Sequence, residues 1–165
     1  MTRPSRHIDA LLIKTARKLL PQTGCSGLNV RQVARLAKVN LGMFHYHFGS
    51  KEKFLKVVMQ EVYEEFLQKF ADEAESHSTA LENLKAALLV FGKFARDNRE
   101  LIFAIVMDLM SGNKAVHHLV RTNKFRHLNI ISQLFSQAST EEGIAFPSVF
   151  NTLAVIIAGL QAPIL

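Results

Sequence analysis

Apolar residues recur at helical spacing along most of this chain. Ile8, Leu11, Leu12, Ala16, Leu19 and Leu20 are three or four positions apart and form one stripe. Ser5 is a candidate N-cap, and Pro21 predicts that the helix stops near Leu20, because the residue before a proline avoids the α region. Gln22–Gly27, with two glycines, reads as a turn. Asn29-Val-Arg-Gln32 has capping-box spacing and opens a short helix that ends near Ala37. Asn40 caps a second short helix, Leu41–Phe48. After Gly49, Ser50 caps a long helix from Lys51 to about Ala74, with Phe54, Leu55, Val58, Val62, Phe66 and Phe70 on its apolar face.

Thr79-Ala-Leu-Glu82 is a further capping box, leading a helix to about Asp97. Arg99–Met110 is apolar nearly all round, which predicts a buried helix. After the turn at Ser111–Asn113, apolar positions from Val116 to Phe135 predict one helix of about 24 residues. Ala138–Phe146 reads as a loop, and Pro147 suits the first turn of a last helix. There is no sustained β alternation and no internal repeat. The expected class is all-α.

Composition narrows the function. With 165 residues, 48% apolar and 21% charged, the chain holds one ordinary domain or two small ones. Its single cysteine, Cys25, excludes Cys-rich zinc modules and disulfide-stapled scaffolds. The longest apolar runs, Leu101–Met107 and Leu153–Leu160, are too short to span a bilayer. The first twenty residues are basic and amphipathic, as in a mitochondrial presequence, but read better as a packed helix. Charge is segregated: residues 1–60 carry a net +9 and residues 61–165 a net −3. A basic block ahead of a mildly acidic one suggests two functional parts, the first a binder of polyanions.

The chemistry concentrates in residues 29–48. Two short helices meet at a tight break, with Ala34, Val39, Phe44 and Phe48 available to lock them at an angle. That is a helix-turn-helix, whose second helix enters the DNA major groove N-terminus first. Gly42 keeps the leading end slim for a groove about 12 Å wide. By position, Arg31 faces a phosphate, while Asn40, Leu41 and Met43 face bases. His45 and His47 are expected to hydrogen-bond phosphates. Two residues apart on a helix, they point about 200° apart and do not share a metal ion. Tyr46 either packs inward or meets the DNA backbone. Lys51, a cation in a first helical turn, opposes the macrodipole unless a phosphate docks there.

Val33-Ala34, Val39, Gly42, His45-Tyr46-His47-Phe48 and Gly49-Ser50-Lys51-Glu52 together resemble the tetracycline-repressor-like (TetR) family of transcriptional regulators. The resemblance covers about 50 residues and rests on helix count alone beyond residue 60. Two positions depart from the family pattern: Lys38 replaces a glycine usual in the inter-helix turn, and His45 a tyrosine usual in the reading helix. The resemblance implies a cytoplasmic homodimer that binds a palindromic operator in double-stranded DNA. It implies a repressor released by a small-molecule effector, with a DNA-binding domain at 1–50 and an effector and dimerisation domain at 51–165 that lacks its final helix. The last apolar segment, from Phe146 to Leu160, is then expected at the dimer surface.

An apolar effector pocket is expected among Phe91, Phe94, Phe103, Met107 and Met110, with Asp108 or His117 orienting one polar group. No phosphate loop, metal motif or nucleophile elbow is present, so neither catalysis, cofactor nor metal is expected. Asp108 as a general base has no partner in the sequence. The competing reading is a basic helical module for protein or membrane surfaces, without DNA function. Against it, the positive charge flanks the short helix instead of lining one uninterrupted face.

Overall fold

The computed structural model describes residues 5–122, 126–143 and 151, and every element among them is a helix. In chain order these are α1 (Ser5–Gly27), α2 (Val30–Leu36), α3 (Leu41–Phe48) and α4 (Lys51–Ala74), then α5 (Ala80–Asp97), α6 (Arg99–Met110), α7 (Lys114–Thr122) and α8 (Arg126–Glu141). Two compact units emerge. One comprises Met1–Val62 with Glu100–Asn123, the other Tyr63–Arg99 with Lys124–Leu165. The expected last helix lies, apart from Asn151, outside the described residues.

In the first unit the stripe on α1 is buried as its spacing requires, with Leu12, Ala16 and Leu20 fully covered. The helix does not stop before Pro21. It continues to Gly24, whose φ of 63° breaks it, and a last turn carries Cys25 into the core, with Leu28 buried just after the helix ends. A proline removes one amide donor and crowds the turn before it but keeps a helical φ, whereas reversing the sign of φ ends the helical path, and glycine adopts that conformation at least cost.

One further expectation changes. The helix α6 is not buried all round: Leu101 and Asp108 are covered, but Phe103, Val106, Met107 and Met110 stand exposed. Apolar composition shows what a helix tolerates, not what covers it. The long helix predicted from Val116 to Phe135 is described in two stretches, α7 and α8, both helical, and residues 123–125 lie outside the described residues. Asn113 starts α7 by accepting from the Val116 N–H at 3.3 Å.

The second unit is built on α5 against α8. Its core joins Phe66, Phe70, Leu84, Ala87 and Phe91 to Ile131, Leu134 and Phe135. His127 enters this aromatic cluster, stacked on Phe91 at 5.6 Å and edge-on to Phe66 at 5.5 Å. Its Nδ1 lies 3.2 Å from the Tyr63 hydroxyl. Burial pushes the imidazole down to about 4, so the folded unit holds it neutral. Between the ordinary histidine value and about 4, the unfolded chain takes up a proton that the folded one refuses. Stability is therefore expected to be complete above the ordinary value and to fall as pH drops through this window. Urea melts at pH 4.5 and 7.5 check this: the gap between the two midpoints should shrink in His127→Phe.

Candidate nucleic-acid interface

The interface begins with the turn. The first helix of the pair, α2, starts at Asn29, whose Oδ1 accepts from the Arg31 N–H at 2.9 Å and the Gln32 N–H at 3.4 Å. At its other end the Lys38 N–H donates to the Arg35 carbonyl at 3.1 Å, and the Val39 N–H to the Ala34 carbonyl at 2.9 Å. That crossed pair is a Schellman closure, whose central residue must be left-handed, and Lys38 has φ 56°. The missing glycine thus leaves the turn geometry intact and places the strain on a lysine. Lys38→Gly is expected to raise stability by about 0.5–1 kcal/mol, the relieved strain less the added freedom of the unfolded chain, as measured by urea denaturation.

The reading helix α3 is capped by Asn40, whose Oδ1 accepts from the Gly42 N–H at 2.7 Å. With that oxygen engaged, the exposed Asn40 amide keeps its N–H groups as donors. A tight aromatic triad anchors the other face. Phe44 is fully buried, 5.7 Å from Phe48 and 5.0 Å from Phe54, and Phe48 is 4.7 Å from Phe54. Ser50 starts α4 by accepting from the Lys53 N–H at 3.2 Å. Hydrogen bonds from its own backbone N–H and from Ser50 hold the exposed Glu52 carboxyl below its ordinary value, so a negative charge sits in that first turn.

Most of the expected contact residues share the first unit's surface. Arg31, Asn40, Gly42 and His45 are exposed, while Leu41 and Met43 are half-buried beside them. The His45 Nδ1 lies 3.3 Å from the Gly49 carbonyl. If Nδ1–H donates there, Nε2 of the neutral ring is an acceptor, and a phosphate at Nε2 requires the imidazolium.

Two residues are employed otherwise in this structure. The His47 side chain turns inward, 6% exposed, with Nδ1 2.7 Å from Asp9 Oδ1 of α1 in a contact outside hydrogen-bond alignment. Its Nε2 is buried with no hydrogen-bond partner among the described residues. Lys51 donates from Nζ to the Ser26 carbonyl at 2.7 Å. That carbonyl lies at the C-terminal end of α1, where a cation is favourable, so the lysine has a protein partner where a phosphate was expected.

The sequence allows Tyr46 either to pack inward or to meet the DNA backbone, and on the reading helix it stands 82% exposed. The signal was present. Two residues from buried Phe44, it must point about 200° away from the core.

The expected pocket residues divide between the units. Phe91 and Phe94 belong to the second unit, where Phe91 is core and Phe94 packs on Phe66 at 4.3 Å. Phe103, Met107 and Met110 are exposed on α6 of the first unit. His117 Nε2 lies 3.1 Å from the Leu109 carbonyl. Asp108 is buried and accepts from the Cys25 N–H at 2.7 Å and the Ser26 N–H at 3.3 Å. Among the described residues no group of three or more His, Cys, Asp or Glu is placed to hold a metal ion.

This geometry has relatives among known proteins. Residues 12–58 match the family of bacterial regulatory proteins named tetR. The helix-turn-helix segment of this chain is that of the TetR family. The transcriptional repressor NicS of Pseudomonas putida is 39% identical over 57 residues, which are 34% of this chain and 27% of NicS. YttP of Bacillus subtilis is 22% identical over 132 residues, 79% of this chain and 64% of YttP. The chain thus spans less than two thirds of either curated relative. The likeness of fold extends further. The regulator FadR of Bacillus subtilis, solved in complex with stearoyl-CoA, superposes with a TM-score of 0.77 at 17% identity, covering 94% of this chain and 84% of FadR.

Proposed function

We propose that this chain is a ligand-responsive transcriptional regulator, most simply a repressor, that binds a palindromic operator as a homodimer. The observation that carries the reading is the first unit's α3: capped by Asn40, anchored from behind by Phe44 and Phe48, and exposing Asn40, Gly42, His45 and Tyr46 on a basic segment. An element held rigidly from one side and polar and aromatic on the other suits groove insertion. Arg31 supplies a phosphate contact, and Leu41 and Met43 supply apolar contacts to thymine methyls. Lys51 joins them if DNA draws it from the Ser26 carbonyl.

Function divides near residue 50 in this reading, with DNA contact in 1–50 and effector binding and dimerisation in 51–165. A small hydrophobic effector is supported by the aromatic and methionine content of α5 and α6 and by the stearoyl-CoA held by the FadR neighbour. By linkage, an effector that prefers the DNA-free form weakens operator binding by the same factor. We read the protein as a non-enzymatic regulator of the cytoplasm; among the described residues no helix is long and apolar enough to cross a membrane.

A salt titration on duplex DNA tests the reading. Binding should weaken steeply as salt rises, and Arg31→Ala, which removes one phosphate contact in each half-site, should flatten the slope by about two units. Binding to anionic vesicles but not to duplex would instead favour a membrane-surface module.

A further inference from the structure

Three side chains from three separate places in the chain converge on one corner of the first unit, Gly24–Ser26. The buried Asp108 carboxylate of α6 takes the Cys25 and Ser26 N–H groups. Asn113, from the turn after α6, donates through Nδ2 to the Ser26 hydroxyl at 2.7 Å. Lys51, from α4, donates to the Ser26 carbonyl. The corner is where α1 breaks, and Leu28 and Asn29 lead from it straight into α2. Gly24 is tailored to the contact: a Cβ there would lie 3.0 Å from Asp108 Oδ2, on a backbone with φ +63°.

We infer that Asp108 is a positioning residue for DNA binding: by clamping the Cys25 and Ser26 amides to α6, it fixes the corner from which the helix-turn-helix departs. The inference rests on the regulatory reading above. The chemistry favours a directional clamp over mere packing. A carboxylate accepting two backbone N–H groups in a buried setting forms strong, directional bonds. Its partners are main-chain groups, so its loss moves backbone and not only a side chain.

Cys25 reports on the clamp. Its thiol is buried and pushed up to about 11, first by burial and then by the Asp108 charge, with Lys51 acting the other way. It should therefore alkylate slowly while the clamp is closed. The test uses the full chain with Asp108→Ala, Asp108→Asn and Gly24→Ala, each checked for helical circular dichroism. It measures the rate of iodoacetamide labelling and the affinity for a duplex selected by the wild-type protein. Asp108→Ala is expected to label Cys25 at least tenfold faster and to bind the duplex at least tenfold more weakly. Asp108→Asn keeps an acceptor oxygen and should recover most of the affinity. Gly24→Ala should behave like Asp108→Ala, which covers the case in which Asp108→Ala does not fold.

Folded variants with wild-type affinity would overturn the inference whatever their labelling, since the clamp would then be structural only. Unchanged labelling would overturn it as well. If the wild-type chain selects no duplex, the regulatory reading fails, and labelling alone still decides whether Asp108 closes the corner.

Discussion

Phe44→Ala is expected to destabilise the first unit by about 3–5 kcal/mol. Phe44 has no exposed surface and contacts both Phe48 and Phe54, so alanine leaves a cavity at the point where α3 is held to α4. Loss of that size is a large share of the ~5–15 kcal/mol that stabilises a typical domain. The reading helix has only eight residues and cannot persist without its packing. Urea denaturation followed by circular dichroism measures the loss, and DNA binding should disappear with it. Tyr46→Ala, two residues along and 82% exposed, should change stability by less than about 0.5 kcal/mol. Comparable losses for the two variants would mean that the buried and outward faces of α3 are wrongly assigned.

The second large effect is on recognition. Met43 lies half-buried one turn from the Asn40 cap, on the leading half of α3. Loss of one apolar base contact costs roughly 1–3 kcal/mol per affected base pair. In a two-fold symmetric complex each substitution acts in both half-sites, so Met43→Ala should cost roughly 2–6 kcal/mol on the preferred duplex. Binding to unrelated duplexes should change little, because phosphate contacts carry it. Fluorescence anisotropy on both duplexes separates the two effects. An equal loss on both would show that Met43 supports the helix and does not read bases.

The helix-turn-helix was legible because its signals are local. Asn29 and Asn40 cap as their positions predict, and the cost placed on Lys38 appears as its positive φ. What escaped the sequence depends on distant partners. Nothing near Asp108 indicates that it serves amides 83 and 82 residues away. The inward turn of His47 needs Asp9 on α1, and the engagement of Lys51 needs the Ser26 carbonyl. Pro21 misled about the end of α1 because Gly24, three residues later, offers the cheaper break. Hydrophobic content likewise misjudged α6, since a helix apolar on every side carries no periodicity to say which side is covered. Tyr46 was accessible to helical-wheel reasoning once Phe44 was taken as the buried anchor.

The central claim is that α3 reads DNA as one of a symmetric pair. Selection from a pool of random duplexes, followed by sedimentation of the protein with the enriched sequence, tests it most directly. The expected result is a palindrome whose half-sites lie about one helical turn apart, or a multiple of it, bound with two chains per palindrome. No enriched sequence, or a non-palindromic one bound by a single chain, would contradict it.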